Sequence, residues 1–215
     1  MKVKLISYSK PHETTQSLQD LVAYCARVSN PTNQNNTETN EKLIKYLTKN
    51  NHWSPLEMVS ICIEIETTRD IARQILRHRS FSFQEFSQRY AVANIGFEPK
   101  EARLQDKKNR QNSIQTDDDN LKLSWEQQQN NVSETAMKAY QWALDNGIAK
   151  EQARSVLPEG MTVSRMYMNG TLRSWVHYIQ LRSGNGTQKE HQDIAIACAE
   201  AIKEVFPMIT DFVNV

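Results

Sequence analysis

The segment 59–66 constrains the fold most, because apolar and polar residues alternate along it without interruption. Its isoleucines stand at positions 61, 63 and 65, and Ser60, Cys62, Glu64 and Glu66 stand between and after them. Successive side chains of a strand point to opposite faces of a sheet. A period of two therefore predicts a strand with one face in the core and one polar face, and this is the clearest strand signal in the chain.

Apolar residues recur at helical spacing in several segments on either side of this strand. We expect helices at about 15–28, 41–50, 70–76, 121–146, 148–156, 172–182 and 188–205, and strands at 2–8, 91–95 and 161–169. In the last strand we expect Met161, Val163 and Tyr167 to face one way. In the long helix we expect Val132 to face inward and Gly147 to end it.

Turn and capping signals divide these elements. Ser54 with Glu57 three residues later, and Pro55 between them, predicts a capping box at the start of a short turn. Asp70 is positioned to cap the next helix, whose last turn leads into Arg77. Segments 30–40 and 99–120 are rich in amide and charged residues and are predicted to be exposed loops. Segment 183–187 is expected to separate the last two helices.

Composition excludes several classes of protein. The formal net charge is +1, so no overall field attracts nucleic acid or an anionic membrane. No segment has the apolar length of a signal peptide or a membrane span. Cys25, Cys62 and Cys198 are far apart and form no Cys-x-x-Cys pair, which is typical of reduced thiols. We expect a soluble cytoplasmic protein that binds neither nucleic acid nor membrane.

The segment 77–90 concentrates the chemistry of the chain. It carries three arginines, a histidine, a glutamate and three serines among four aromatic residues, and it contains no lysine. Guanidinium groups suit phosphate and nucleobase edges, and aromatic side chains supply flat apolar walls. A solvated helix end running into an aromatic loop is the alternative. The clustering of polar groups favours a binding segment that recognises anions.

Other chemistries find little support in the sequence. The five histidines show no metal-ligand spacing, and Ser183-Gly184-Asn185-Gly186 lacks the spacing of a phosphate-binding loop. No nucleophile elbow is present. Arginines near element ends remain: Arg77, Arg79, Arg89, Arg154, Arg173 and Arg182. Together they indicate a nucleotide-sized ligand with several negative charges.

These arginines lie in a recognisable pattern. Arg77-His78-Arg79-x-x-Ser82-x-x-x-x-Ser87-x-Arg89 resembles the signature of the flavin-dependent thymidylate synthases, with all six fixed positions matched. His52-x-Ser54-x-x-Glu57, Ala153-Arg154, and Arg173-Ser174 leading to Leu181-Arg182 also resemble that family. The resemblance runs from about Ser29 to the last helix and excludes 99–120.

The resemblance implies an α+β fold: a single domain over 1–215 with a small, mostly antiparallel sheet flanked by long helices. It implies reductive methylation of dUMP to dTMP, with 5,10-methylenetetrahydrofolate as carbon donor and FAD carrying a hydride from NADPH. It also implies a homotetramer with active sites at subunit interfaces, and no metal. A non-catalytic nucleotide- or RNA-binding module and a degenerate, structural family member are the alternatives.

The resemblance also implies site residues, position by position. The residues implied for dUMP are Gln74, Arg77, Glu85, Phe86, Ser87, Gln88, Arg89, Arg154 and Arg182. The residues implied for FAD are Ser54, Arg77, His78, Arg79, Glu85, Asn169, Arg173 and His177. Arg182 is implied as the catalytic residue, a cationic donor that stabilises charge on the uracil ring.

Two positions depart from the family pattern. The segment between Pro158 and Arg173 is about two residues longer, so Thr171 competes with Asn169 for the flavin contact. Gly184-Asn185-Gly186 stands where the family often has a histidine, so one flavin contact has no clear counterpart. Within the signature, Arg77 to Arg79 are expected at the end of a helix facing FAD, and Glu85 to Arg89 in a loop facing dUMP.

Overall fold

The structure is a computed structural model that describes residues 1–12, 17–92 and 96–214. Within these ranges the strands are β1 Lys2–Tyr8, β2 Ser60–Thr68, β3 Phe81–Glu85, β4 Arg103–Gln105, β5 Ser113–Gln115 and β6 Val163–Thr171. The α-helices are α1 Leu18–Ala26, α2 Asn40–Lys49, α3 Arg69–Ile75, α4 Asp119–Asp145, α5 Lys150–Ala153, α6 Leu172–Arg182 and α7 Lys189–Lys203. Short 3₁₀ helices lie at Pro31–Asn33, Ser54–Met58, Arg154–Val156 and Pro207–Phe212.

Four strands form an antiparallel sheet in the order β1-β2-β6-β3. The predicted alternation is confirmed, since Ile61, Ile63 and Ile65 of β2 are fully buried. The buried face packs against α3, α6 and α7, whose apolar residues complete one core cluster. The α+β class, with a small antiparallel sheet flanked by helices, is therefore confirmed.

Two contacts fix α6 and β3 against the sheet. Trp175 of α6 is completely buried and donates its indole N–H to the carbonyl oxygen of Ile61 at 3.0 Å. Gly170 of β6 pairs with Phe81 of β3, and a Cβ atom at this glycine would lie 2.4 Å from the phenylalanine ring. Only glycine allows the ring to lie this close to the β6 backbone.

Strand β6 corrects one prediction about side-chain direction. Met161 and Val163 are buried as expected, but Tyr167 is 38% exposed, and the inward positions further along are Met166 and Met168. Val163 donates its backbone N–H to the carbonyl oxygen of Gly96, so a neighbouring segment covers the start of the strand. The burial of Met161 and Val163 therefore does not show which face of β6 points into the core further along the strand.

Both predicted helix caps in the middle of the chain are wrong. Ser54 begins a 3₁₀ helix without making a side-chain cap, and Glu57 pairs with Arg173 of α6 instead. Thr68, not Asp70, is the N-cap residue of α3, and it donates its hydroxyl to the Asp70 carboxylate in the first turn. The Glu57 and Asp70 carboxylates were predicted to accept from backbone N–H groups, but they contact the Arg173 and Thr68 side chains instead.

The elements predicted as loops contain more structure than expected. Phe81–Glu85 is a strand, so Glu85 ends β3 and does not lie in a loop. β4 and β5 form an antiparallel hairpin inside 99–120, and a 3₁₀ helix lies within 30–40. Val132 is 51% exposed and does not face inward.

Several predicted helix boundaries hold. Gly147, with φ of 75°, follows the last turn of α4 as expected. Helix α1 begins at Leu18, after the capping residue Ser17, and the predicted start at 15 lies outside the described residues. The predicted strand 91–95 also lies largely outside them. In the described part of the chain, no helix has the length and apolar character needed to cross a bilayer.

Candidate functional site

The signature begins where α3 ends and continues through a turn into β3. Helix α3 ends at Ile75, and its apolar residues Ile71 and Ile75 are fully buried in the core. Arg77 and Arg79 then lie exposed, and within the described residues neither side chain has a hydrogen-bond or ion-pair partner. Two unpaired guanidinium groups so close in sequence are suited to an anionic ligand.

His78 points the other way and meets Arg182 at the end of α6. The Nε atom of Arg182 donates to Nε2 of His78 at 2.9 Å, and the imidazole packs edge-on against Tyr178 with ring centroids 4.9 Å apart. Burial, with the Arg182 charge, lowers the pKa of His78 to about 4. The imidazole is therefore neutral at pH 7, with its proton on Nδ1 and its Nε2 lone pair holding the arginine.

The free energy of unfolding is expected to fall as the pH drops from about 6.5 to about 4, because unfolded His78 takes up a proton at a pH where folded His78 does not. Protonating Nε2 also removes the acceptor for Arg182. Urea denaturation of the apoprotein across this range measures the slope. His78→Gln, whose amide oxygen accepts from Arg182 without titrating, should reduce it. An equal slope in wild type and His78→Gln would contradict this assignment.

A second group of residues lines a polar pocket of about 460 Å³. Its lining residues are Arg69, Arg73, Gln88, Glu151, Arg154, Ser155, Leu157 and Glu159. Gln88 is 3% exposed, and Arg89 reaches Glu151 at 3.5 Å on the rim. Arg154 is therefore brought close to Gln88 and Arg89, from which it is separated by more than 60 positions in sequence.

Glu85 lies behind this pocket and holds its two arginines on α3. Its carboxylate is 3.6 Å from Nη1 of Arg69 and 3.2 Å from Nη1 of Arg73, and it accepts the Ser164 hydroxyl at 2.9 Å. Sequence reasoning missed both arginines. Their signal was the spacing of Arg69, Arg73 and Arg77 at i, i+4 and i+8, which lines three cations along one side of α3 and its continuation.

A third group lies at the start of α6. Arg173 pairs with Glu57, and the His177 ring packs edge-on against Trp53 with centroids 4.9 Å apart. Partial burial, together with the Arg173 charge, lowers the pKa of His177. Ser54 and Asn169 are exposed, Ser54 beside Trp53 and Asn169 on the open face of β6. This group holds half of the positions expected for the flavin.

The three groups are distinct within one chain. No hydrogen bond or ion pair in the described ranges joins the Arg182–His78 pair to the polar pocket, or either of them to the α6 start. Ser87 is half-buried and accepts from the backbone N–H of Arg89 at 3.4 Å, and Phe86 donates its own N–H to the Arg165 carbonyl at 2.8 Å. These two residues shape the loop after β3.

Thr171 has a structural role that separates it from Asn169. It is the N-cap residue of α6, and its hydroxyl accepts from the backbone N–H of Ser174 at 3.3 Å. Thr171→Ala is expected to lower the free energy of unfolding by about 1 kcal/mol through loss of this cap. Thermal and urea denaturation measure the loss, and Thr37→Ala, at an exposed threonine whose side chain makes no hydrogen bond in the described residues, serves as control. Equal effects of the two substitutions would contradict the capping role.

Comparisons with known proteins agree with this arrangement. Residues 5–208 match the family described as Thymidylate synthase complementing protein. The chain is 49% identical over 210 residues to a "Probable flavin-dependent thymidylate synthase" of Paramecium bursaria Chlorella virus 1, covering 97% of each chain. It is 48% identical over 213 residues to the flavin-dependent thymidylate synthase of a Synechocystis species, again covering 97% of each.

A solved structure is also similar. The UMP/dUMP methylase PolB from Streptomyces cacaoi, crystallised with 5-Br dUMP, superposes with a TM-score of 0.83 at 27% sequence identity. The match covers 98% of this chain and 93% of that one.

Proposed function

The chain belongs to the flavin-dependent thymidylate synthase family, and on this premise we propose that it methylates dUMP reductively to dTMP with FAD as cofactor. Near-complete coverage at 48–49% identity supports this activity. The structural observation that supports it is that the two ends of the signature, Arg77 to Arg79 and the residues after Glu85, have different surroundings. Arg77 and Arg79 are left unpaired on one side within the described residues, and Gln88, which follows β3, lines the polar pocket on the other.

The donor set around the signature and the start of α6 fits FAD. Unpaired guanidinium groups at Arg77 and Arg79 suit a pyrophosphate. Ser54 and His177 add neutral hydrogen-bonding groups beside the Trp53 ring, and Asn169 adds one on the open face of β6. Arg173, His78 and Glu85 complete the set we propose. FAD, when bound, supplies the hydride for the methylation, and the residues of this chain bind and orient it.

The polar pocket fits dUMP. Arg154 is half-buried, and its Nε donates only to the backbone carbonyl of Glu151 at 3.3 Å, so its other N–H groups remain for a phosphate. We propose that Gln74, Arg77, Glu85, Phe86, Ser87, Gln88, Arg89 and Arg154 form this site. Arg73, which the sequence did not indicate, joins them because it lines the same pocket.

Arg182 is the residue we propose for catalysis. One of its five N–H donors is engaged by neutral His78, which fixes the plane of the guanidinium and leaves the terminal nitrogens for the uracil ring. A fixed cationic donor at the pyrimidine edge stabilises the negative charge that develops there during methyl transfer. His78 keeps its proton on Nδ1 throughout and therefore does not compete with Arg182 for the substrate.

The remaining features of the reaction extend this proposal. NADPH is the proposed reductant and 5,10-methylenetetrahydrofolate the proposed carbon donor. We also propose a homotetramer with active sites at the subunit interfaces, as the resemblance to the family implies. We further propose that 1–215 acts as one domain and works in the cytoplasm.

Turnover with defined components tests the function. Protein loaded with FAD and supplied with dUMP, 5,10-methylenetetrahydrofolate and NADPH is expected to form dTMP, and omission of any one component should abolish the product. UMP in place of dUMP measures selectivity, because PolB is named for both nucleotides. FAD-loaded protein that forms no dTMP from the complete mixture would overturn the proposal.

A further inference from the structure

A chain of hydrogen bonds connects the β4–β5 hairpin to Gln74. Arg103 of β4 donates from Nη2 to one carboxylate oxygen of Glu190 at 2.6 Å. The other oxygen of Glu190 accepts from the side-chain amide of Gln188 at 2.9 Å. The Gln188 carbonyl oxygen in turn accepts from Nε2 of Gln74 at 2.8 Å. Arg103 and Glu190 are 87 positions apart in sequence, and their bond joins the hairpin to the first turn of α7.

The chain continues into the core beyond Gln74. Nδ1 of His191 lies 3.3 Å from Oε1 of Gln74, and Nε2 of His191 lies 3.2 Å from the Tyr178 hydroxyl. His191 is completely buried, and Tyr178 is 1% exposed. Tyr178 is the ring that packs against His78, the partner of Arg182. Gln74 is therefore held from two sides, by a surface carboxylate through Gln188 and by a buried imidazole.

The direction of every bond in this chain follows from Glu190. Burial alone would raise the pKa of Glu190, but its own backbone N–H, Arg103 and Gln188 outweigh burial, and the pKa lies below its usual range. A charged carboxylate only accepts hydrogen bonds. Gln188 must therefore turn its NH₂ group to Glu190 and its carbonyl to Gln74.

The orientation of the Gln188 amide in turn fixes the orientation of the Gln74 amide. Gln74 must turn its NH₂ group to Gln188 and its carbonyl to His191, which then carries its proton on Nδ1 and accepts the Tyr178 hydroxyl at Nε2. Burial, with the Arg182 and His78 charges, lowers the pKa of His191 to about 3, so the ring is neutral. Each group has one arrangement that satisfies all partners, and one N–H of the Gln74 amide remains unused.

We propose that Arg103 and Glu190 are positioning residues that fix the orientation of the Gln74 amide. That orientation leaves one N–H of the amide free to donate to the nucleotide. A nucleotide monophosphate is rich in acceptors, so a flipped amide would present an oxygen where a donor is needed. This inference rests on the proposed function, because it takes Gln74 as a dUMP contact. It assigns a role to the hairpin, a segment outside the family signature.

Calorimetric titration of FAD-loaded protein with dUMP tests the proposal. Arg103→Met is expected to raise the Kd for dUMP about tenfold, the effect of losing one well-placed hydrogen bond, while turnover at saturating dUMP is retained. Arg110→Met, an exposed arginine in the same hairpin with no side-chain partner in the described residues, should bind dUMP as wild type does. Arg103→Lys should restore part of the loss.

A double-mutant cycle tests whether Arg103 affects dUMP binding through Gln74. Because Arg103 acts through Gln74, adding Arg103→Met to Gln74→Ala should weaken dUMP binding no further. Independent, multiplying effects would overturn the proposal, as would wild-type affinity in Arg103→Met. Wild-type protein that fails to bind dUMP would instead overturn the proposed function, and this inference with it. Melting temperatures identify a variant that fails to fold, and Gln188→Leu then replaces Arg103→Met in the cycle.

A second readout does not involve the nucleotide. Long-range ¹H–¹⁵N spectra of histidine-labelled protein should show His191 with its proton on Nδ1 in the wild type. In Glu190→Gln the Nδ1–H and Nε2–H forms should both be populated, because an amide at position 190 can donate as well as accept and no longer sets the direction of the Gln188 and Gln74 amides. A single Nδ1–H form in both proteins would overturn the proposal.

Discussion

Replacing Arg182 with alanine is expected to lower kcat for dTMP formation about 10²–10³-fold, which corresponds to about 2.7–4 kcal/mol of barrier. The reason is that Arg182 is held by His78 with its terminal nitrogens uncommitted to any other side chain of the described chain. Alanine removes the fixed donors while leaving Arg77 and Arg79 in place. FAD should therefore stay bound, and steady-state kinetics with a flavin absorbance measurement test both statements.

The same variant has a second observable effect. The Arg182 charge helps to lower the pKa of His78 to about 4, so that pKa should rise toward its usual range in Arg182→Ala. Titration followed by histidine NMR measures the change. Arg110→Ala serves as the matched loss of an exposed arginine and should change neither kcat nor the pKa. Unchanged turnover in Arg182→Ala would remove this residue from the catalytic role.

Replacing Arg154 with methionine is expected to raise the Kd for dUMP about 10- to 100-fold, the range for losing a hydrogen bond to a charged group. Arg154 lines the polar pocket, and its side chain makes one hydrogen bond to the protein, from Nε to a backbone carbonyl. Methionine retains much of the apolar stem but loses the donors. Titration of the FAD-loaded protein with dUMP measures the change.

The protein itself should tolerate Arg154→Met. The side chain forms no ion pair in the described part of the chain, and the substitution leaves the Glu85 contacts with Arg69 and Arg73 intact. The melting temperature should therefore stay close to that of the wild type. A dUMP affinity equal to that of Arg110→Met would show that the pocket does not hold the nucleotide.

The sequence predicted those parts of the fold that depend on local spacing. The alternation in β2 was interpreted correctly because one face of a central strand is wholly buried along its length. Strand β3 was not predicted although Phe81 and Phe83 also alternate with polar residues, because it is only five residues long and only Phe81 is buried. The face of β6 was misread because another segment covers its first residues.

The failures at caps and in the site share a physical cause. Glu57 had a favourable local partner in the capping box, but Arg173 lies 116 residues away and offers a full charge. No local pattern shows such a partner. The resemblance predicted Gln88, Arg89 and Arg154 as site residues, and the structure places them around one pocket. It did not predict Arg69 and Arg73, which pair with Glu85 beside that pocket.

The hairpin was the least predictable region. Its strands are three residues each, too short for a periodic signal, and it was expected to be an exposed loop. Arg103 is only 12% exposed because it pairs with Glu190 on a distant helix. Charge-rich composition therefore predicted exposure correctly for most of the segment and incorrectly for the residue that connects it to Gln74.

The visible absorption spectrum of the purified protein, before and after addition of dUMP, tests the central claim most directly. Protein reconstituted with FAD should be yellow, with the two visible bands of a bound flavin, and dUMP should shift these bands because we propose that the two ligands meet at one active site. Protein that stays colourless after reconstitution with FAD, or a flavin spectrum that dUMP leaves unchanged, would contradict the account.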